Sequence, residues 1–431
     1  MSNKNVLIIS PYFPPSNSAD MQRVRMSLPY FKDFNWEPEV VYVSQKHSDT
    51  NKDELLRETV PGDITLHEVE AFSKKTTSKL GLGSIALRSL WFYKKKVDQL
   101  LKQKKFDLIY FSTTQFPVCI LGAHWKKKFG VPYVIDMQDP WHSDYYMSKP
   151  KHERPPKYWF SYRLNKFLEP IAMRSADGVI SVSTAYITTL HERYPCLREK
   201  PSATITFGAF EKDFEIAGKY QASLKPAFEK QDGELLIAYV GRGGKDMRPA
   251  VSLLFEAFQQ GLTRNYELFH RFKFLFVGTS YAAAGSGIPT ISPIAENFGI
   301  SKYVTEQTDR ISFFNTLTTL KYADGLFIPG SDDPQYTASK IYPYIMARRP
   351  LISLFHPASS AAAIIRDCGS GLGLTFDMPK HEIIKKIIEY LTDIGTGRIK
   401  ETVPVPEVFD RYTARNMTRL QVEMFEKILG V

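Results

Sequence analysis

Short apolar runs alternate with stretches of helical spacing along nearly the whole chain. Residues 6–10 read as a short buried strand, followed by a helix over 21–34 and a strand over 39–43. Residues 92–104 have helical spacing, with Val97, Leu100 and Leu101 on one side. A strand at 108–111, a helix at 118–129, a strand at 133–136, a helix at 159–175 and a strand at 178–182 follow. Strands this short and apolar, separated by helices, predict parallel pairing with both sheet faces covered.

Near residue 207 the pattern restarts. Thr206-Phe207-Gly208-Ala209-Phe210 leads into a polar stretch, 211–233, without strong periodicity, where the connection between two domains is expected. The second half predicts strands at 235–240, 272–277, 310–313, 325–328 and 351–355, and helices at 249–260, 316–322, 342–347 and 383–392. The last segment, 413–429, places Met417, Leu420, Met424, Phe425, Ile428 and Leu429 at helical spacing. The class is therefore α/β, with two doubly wound, Rossmann-like domains, 1–207 and 208–412. Ligands in such folds bind at the carboxyl ends of the strands, expected here in a cleft between the two domains, so the loops after strands carry the functional search.

Composition narrows the class. A chain of 431 residues with 43% hydrophobic and 13% aromatic content has enough material for two cores, and its 27 Pro and 25 Gly are scattered. No apolar run approaches the roughly 20 residues of a membrane-spanning helix. Val6-Leu7-Ile8-Ile9 before Pro11 is too short for a signal-peptide core. Cys119, Cys196 and Cys368 are few and far apart, which fits thiols in a reducing cytosol, and nine histidines form no metal motif. A cytoplasmic chain without a resident metal is expected.

The net charge of +10 is unevenly spread. Residues 74–105 hold ten Lys and Arg against one acid, Asp98, a net of +9, interleaved with Leu80, Leu82, Ile85, Leu87, Leu90, Trp91, Phe92 and Tyr93. A second basic and aromatic stretch, 147–167, includes Tyr158, Trp159, Phe160 and Tyr162. Cationic segments with aromatics suit an anionic membrane surface, and equally a solvated helix face whose aromatics belong to the core. No nucleic-acid-binding module is present, so nucleic acid is not an expected partner.

Three loops carry candidate chemistry. The strand at 235–240 ends in Gly241-Arg242-Gly243-Gly244-Lys245-Asp246-Met247-Arg248. Glycines let a backbone approach phosphate closely, and Arg with Lys neutralises it. Ser339-Lys340 opens a helical stretch that ends in Arg348-Arg349-Pro350 and an apolar strand. Backbone N–H groups at a helix start, with a lysine beside them, suit a diphosphate. Pro343 leaves the first helical position open between the neighbourhood of Lys340 and Pro343 itself. The strand at 133–136 runs into Met137-Gln138-Asp139-Pro140-Trp141-His142. A carboxylate after a strand end suits hydrogen bonding to a hydroxyl or removal of its proton. Asp136 either joins that site or caps a turn, and Trp141 either joins it or packs. Arg23 and Arg25 lie on or near the first helix, for contact with sugar or phosphate or for simple exposure.

The run from Ala323-Asp324-Gly325-Leu326-Phe327-Ile328-Pro329 through Ser339-Lys340 to Pro350-Leu351-Ile352 resembles the donor-binding segment of GT-B glycosyltransferases of family 4, which act in bacterial cell-surface polysaccharide synthesis. That family carries Ser-Lys-x-x-Glu-Tyr at this place and a second glutamate eight positions earlier; here Pro343 and Gln335 stand there, with Asp332 and Asp333 nearby. Pro11-Tyr12-Phe13-Pro14-Pro15 is similar to the family's opening loop, and Asp139 with Trp141 to its Arg-Asp-x-Trp segment. Ser181-Val182-Ser183 resembles the strand ending that precedes the family's linker.

The resemblance implies a GT-B fold with an acceptor-side domain, completed by the final helix, and a nucleotide-sugar domain. It implies transfer with retention and without a metal in the catalytic step. The donor would be a UDP- or GDP-linked sugar, which is a substrate and not a cofactor, and the acceptor a saccharide or lipid-linked molecule. Gly241, Arg242, Lys245, Gly278, Ser339 and Lys340 would bind the donor, with Arg248 as an alternative second cation. Asp139 and His142 would be catalytic, and Asp136 and Arg23 auxiliary on the acceptor side. The protein would be cytoplasmic, or peripheral on the inner face of the plasma membrane through 74–105. Two other readings stay open: a catalytically inactive GT-B subunit or scaffold of a polysaccharide assembly complex, and a nucleotide-sugar epimerase.

Overall fold

The apolar runs become two all-parallel sheets. A computed structural model of the chain describes residues 3–144, 146–147, 150–151, 154, 157–331 and 340–430. Ser339, Gln335, Asp332 and Asp333 lie outside the described residues, as do 148–149, 152–153 and 155–156 of the second basic stretch. Contacts divide the chain into two units, Met1–Gly208 with Ala414–Val431, and Ala209–Thr413.

In the first unit seven strands lie in the order β3-β2-β1-β4-β5-β6-β7. They are β1 (Lys4–Ile9), β2 (Trp36–Val43), β3 (Thr65–Val69), β4 (Leu108–Ser112), β5 (Tyr133–Met137), β6 (Gly178–Ser181) and β7 (Ser202–Thr204). Val6 to Ile9 are fully buried, as a central strand covered on both faces must be. Ile8 pairs with Val40 on one side and Tyr110 on the other. The sheet is flanked by helices that include α1 (Gln22–Ser27), α2 (Ile85–Gln103) and α3 (Tyr158–Met173).

The second unit has six strands in the order β10-β9-β8-β11-β12-β13. They are β8 (Leu235–Val240), β9 (Phe272–Val277), β10 (Val304–Gln307), β11 (Gly325–Pro329), β12 (Leu351–Phe355) and β13 (Leu372–Thr375). Its helices include α4 (Arg248–Arg264) and α5 (Ile341–Met346). Every pairing is parallel, so all strand ends that precede a helix lie at one edge of each sheet.

The structure departs from the expected elements in an orderly way. Strands β3, β7 and β13 were not expected, and the strand expected at 310–313 is instead β10 at Val304–Gln307. These four are the edge strands of the two sheets. Edge strands are short and half exposed, so they carry no continuous apolar run. Phe313 instead opens a helix, Phe313–Tyr322, which Ser312 caps by accepting the Asn315 N–H at 3.1 Å. The helix expected at 21–34 is broken: α1 stops at Ser27 and a 3-10 turn, Phe31–Phe34, follows Pro29. The polar stretch after 210 contains a helix, Glu211–Lys219. Among the described residues no helix is long and apolar enough to cross a membrane.

The last helix, α6 (Ala414–Leu429), belongs to the first unit. Its Phe425 ring sits 5.2 Å from Tyr110, 5.4 Å from Trp36 and 6.2 Å from Phe31. A Cβ on Gly178 of β6 would come within 2.6 Å of Met424 and 2.7 Å of Ile428, so the bare glycine lets the helix approach. Arg415 pairs with Asp33 at 2.9 Å at the surface. Truncating Phe425 to Ala should destabilise the protein by about 3–5 kcal/mol in urea unfolding, because the residual cavity cannot collapse between three packed rings.

Candidate functional site

At the carboxyl end of β8 the chain turns through Gly241-Arg242-Gly243-Gly244 and a 3-10 turn, Lys245–Met247, into α4. The turn is tied to the neighbouring strand: Gly241 N–H donates to Val277 O and Gly243 N–H to Thr279 O, both at 2.8 Å. Gly278 follows β9 with φ +73°, the left-handed backbone that favours glycine, and its N–H donates to Gln307 O at 2.8 Å.

Lys340 reaches this turn from the start of α5. Its Nζ donates to the Tyr239 hydroxyl at 2.7 Å and lies 4.9 Å from that ring's centroid. The Tyr239 hydroxyl in turn donates to Arg242 O at 2.8 Å. A Cβ on residue 241 would meet Lys340 Nζ at 2.5 Å and Tyr239 Oη at 2.8 Å, so the ammonium occupies the space that the glycine leaves. Tyr344, one turn into α5, accepts the Val240 N–H at 2.7 Å and fastens the helix to β8. The helix begins at Ile341, two residues before Pro343, and has six residues.

Arg242 is held by Asp246 through two hydrogen bonds, 3.0 and 2.7 Å. Burial works against the Asp246 charge, but hydrogen bonds from Arg242 and Ser331 outweigh it and keep the carboxyl below its ordinary range. Lys340 has the opposite fate. Burial, then repulsion from Arg242 and Arg310, outweigh the attraction of Asp246 and push its pKa down to about 7. Arg310 comes from the loop after β10 and stacks on Tyr281 at 4.1 Å. Lys340 thus feels two other cations, Arg242 and Arg310, together with the Asp246 carboxylate that Arg242 holds. Lys245 is exposed on the next turn and makes no ion pair with a described residue, and Arg248 is exposed at the first position of α4.

The sequence gives no site role to Arg310, Tyr239, Asp246 or Tyr344. Arg310 falls in the expected strand 310–313, Tyr239 in the strand 235–240 and Tyr344 in the helix 342–347. The Arg242-to-Asp246 spacing of four was the available signal for that pair.

In the first unit the charged residues are brought together inside. Arg23 and Asp136 are fully buried and pair at 2.7 Å, which corrects the exposure expected for Arg23. Arg25 is also buried. Arg23 Nη2 donates to Ile205 O at 2.7 Å and Nη1 to Thr206 O at 3.2 Å. Asp136 Oδ2 also accepts from Ser112 Oγ and Gln138 Nε2, both at 2.9 Å, so Asp136 is an internal ion-pair partner and not a turn cap. Nearby Asp20 is buried without a cation; it accepts from Thr113 Oγ1 at 2.9 Å, and burial raises its pKa despite those bonds.

Asp139 stands apart from this network. It is exposed, and among the described residues its carboxylate makes no hydrogen bond or ion pair. Partial desolvation, then the nearby Asp20, raise its pKa. His142 is buried against Tyr162, ring centroids 4.7 Å apart, and its Nε2 has no hydrogen-bond partner. Burial and then the Arg193 cation lower its pKa, favouring the neutral ring. Trp141 packs on Phe116 with ring centroids 5.5 Å apart.

The basic stretch at 74–105 spends part of its charge internally. Arg88 is buried and donates to the carbonyls of His47, Phe72 and Gly83, while Lys74 pairs with Asp49 and Lys104 with Glu39. On α3 the exposed face carries Trp159, Phe160, Phe167 and Ile171 among Arg163 and Lys166. The one acid of α3, Glu169, is buried on Arg193 and Tyr194.

Replacing Arg23 by Met should cost about 3–5 kcal/mol in urea unfolding, since Asp136 would keep a buried charge without its cation. Lys340 makes a pH prediction. Its folded-state pKa lies below the unfolded one, so the unfolded chain holds the extra proton between about 7 and 10.5. The resulting penalty is complete below about 7 and fades as pH rises toward 10.5. Lys340→Met should therefore gain most in stability over the parent protein near pH 6 and progressively less at pH 8 and 9.5 in denaturant titrations.

Residues 39–205 match the family Glycosyltransferase Family 4. No curated protein sequence matches the chain. Among solved structures, HepE from Anabaena, in complex with UDP and glucose, superposes with a TM-score of 0.57 at 14% identity, covering 99% of this chain and 100% of that one. Sucrose-phosphate synthase from Thermosynechococcus elongatus gives a TM-score of 0.57 at 12% identity, with 99% and 100% covered. The lipopolysaccharide outer core galactosyltransferase WaaB gives 0.52 at 14% identity, with 98% and 99% covered. At these identities the likeness is one of fold, and it extends over the whole chain. The chain thus has a GT-B fold of two parallel-sheet α/β units, and its residues 39–205 are similar to Glycosyltransferase Family 4.

Proposed function

We propose that this protein moves a sugar from a UDP- or GDP-linked donor to a saccharide or lipid-linked acceptor in surface polysaccharide synthesis, with retention and without a metal in the catalytic step. The observation that carries the reading is the cation cluster around Gly241. Lys340, Arg242 and Arg310 lie close together there, with Asp246 the carboxylate among the described residues, and burial, then the two guanidinium charges, hold the lysine's pKa down to about 7. A diphosphate bound there would supply negative charge, restore the lysine's proton and be stabilised as it leaves the sugar. Ser339 would add a hydrogen bond and Lys245 a further cation. Gly278 would let the loop after β9 lie close to the base. HepE binding UDP and WaaB acting on lipopolysaccharide support the donor and pathway classes.

Asp139 is the group proposed to orient or deprotonate the acceptor hydroxyl, because its carboxylate makes no bond to a described residue and its pKa is raised toward that of a useful base. His142, buried and neutral, would act through the position of that loop. The exposed cationic and aromatic faces are proposed to lie on an anionic bilayer at the cytoplasmic face of the plasma membrane. Pro343 and Gln335, in place of two ribose-binding glutamates implied by the resemblance, favour one second reading: a GT-B subunit that binds no nucleotide and serves as a scaffold.

A thermal-shift screen against UDP, GDP, ADP and CMP separates the two. Selective stabilisation by one nucleotide is expected; no shift at millimolar concentration would favour the scaffold. Arg242→Ala and Lys340→Ala should each lower transfer about ten- to a hundredfold, the loss of one charge-assisted hydrogen bond, and unchanged transfer in both would remove this site. Flotation with anionic liposomes at low salt should retain the protein, and Trp159→Glu with Phe167→Glu should release it.

A further inference from the structure

A groove of 400 Å³ runs between the start of α2 and the first half of α3, and Asp139 lines it. Ligand pockets commonly fall between about 300 and 1,000 Å³. Its apolar walls are Leu87 of α2, Phe160 and Leu164 of α3, and the stacked pair Phe116 and Trp141. The Trp141 Nε1–H is spent on Asn165 Oδ1 at 3.2 Å, so the indole offers the groove mainly hydrocarbon. Ser84, Thr114, Gln115, Ser161 and Asn165 add polar groups, and the one charged lining residue is Asp139, whose carboxylate makes no bond to a described residue.

The apolar walls continue onto the surface. Trp91, 55% exposed, lies one turn beyond Leu87, and Phe167, 69% exposed, lies one turn beyond Leu164. Trp159, 51% exposed, adjoins Phe160. Arg163 sits over the Trp159 ring at 5.7 Å, and no carboxylate lies on the exposed face of α3. Apolar patches of this kind mark a contact surface, and their cations select an anionic one. A hydrocarbon path with a cationic margin therefore leads from the surface to a lone carboxylate.

We infer that this groove is the acceptor site and that the acceptor is an amphiphile, a lipid-linked saccharide whose chain-proximal part lies on Leu87, Phe160 and Leu164 while its hydroxyl meets Asp139. The inference rests on the transferase reading, of which it names the acceptor class and place.

Equilibrium dialysis tests it with octyl β-glucoside, below its micelle concentration, against glucose. Tighter binding of the octyl compound by at least tenfold is expected. Ser161→Trp, at an exposed position lining the groove, should weaken that binding at least tenfold, and Leu164→Gln should do the same. Both variants should keep the parent's melting temperature and its response to UDP. Equal binding of octyl glucoside and glucose, or unchanged binding in both variants, would overturn the groove as an acceptor site. A missing UDP response in the parent protein, with octyl glucoside binding still lost in the variants, would instead sink the donor reading and sustain the groove.

Discussion

Lys340 reaches its place only because residue 241 has no side chain. The rest of the candidate donor site depends on that arrangement. With its ammonium on the Tyr239 hydroxyl, the lysine is tied to the same group that holds the Arg242 carbonyl. The turn after β8, the start of α5 and the loop after β10 are thereby committed to one small region. Parallel pairing makes this possible, since β8, β9, β10 and β11 all end at the same edge. Burial of the lysine, and after it the nearby guanidinium charges, lower its affinity for a proton.

The two units treat charge differently, and the contrast separates architecture from chemistry. Arg23 and Asp136 satisfy each other inside the first unit, and the remaining donors of Arg23 go to backbone carbonyls at 205 and 206. Such a pair fixes the positions of its neighbours, while Asp136 Oδ1 remains a buried acceptor without a hydrogen-bond partner among the described residues. Asp139, three residues later, has no such partner among the described residues, and around Gly241 the described cations Arg242, Lys340 and Arg310 stand with one described carboxylate, Asp246. Imbalance of this kind is where a bound substrate has something to add.

Both sheets were legible in the chain at their centres and illegible at their edges. β1, β4, β5, β8, β9, β11 and β12 are covered on both faces, so their sequences are mostly apolar runs. β3, β7, β10 and β13 are half exposed and read as loop, or were misplaced onto the apolar start of a helix. That misplacement hid Arg310, because a residue assigned to a strand was not sought in a loop. The glycine-rich turn and Lys340 were visible as residues with phosphate chemistry. Their meeting was not, since Lys340 lies 98 positions after Arg242.

The sequence by itself determined the class of the fold, two parallel α/β units, because hydrophobic periodicity is a local property and burial on both faces leaves a local mark. It also determined which loops hold glycine, cations and carboxylates. Only the tertiary structure decided which charges are spent. Arg23, Arg88 and Lys104 look like available cations in the chain and are engaged within the first unit. Asp139 looks no different from Asp136 and is left without a partner among the described residues. Pairing, burial and the field of neighbouring groups are set by residues far apart in sequence, and no local pattern encodes them.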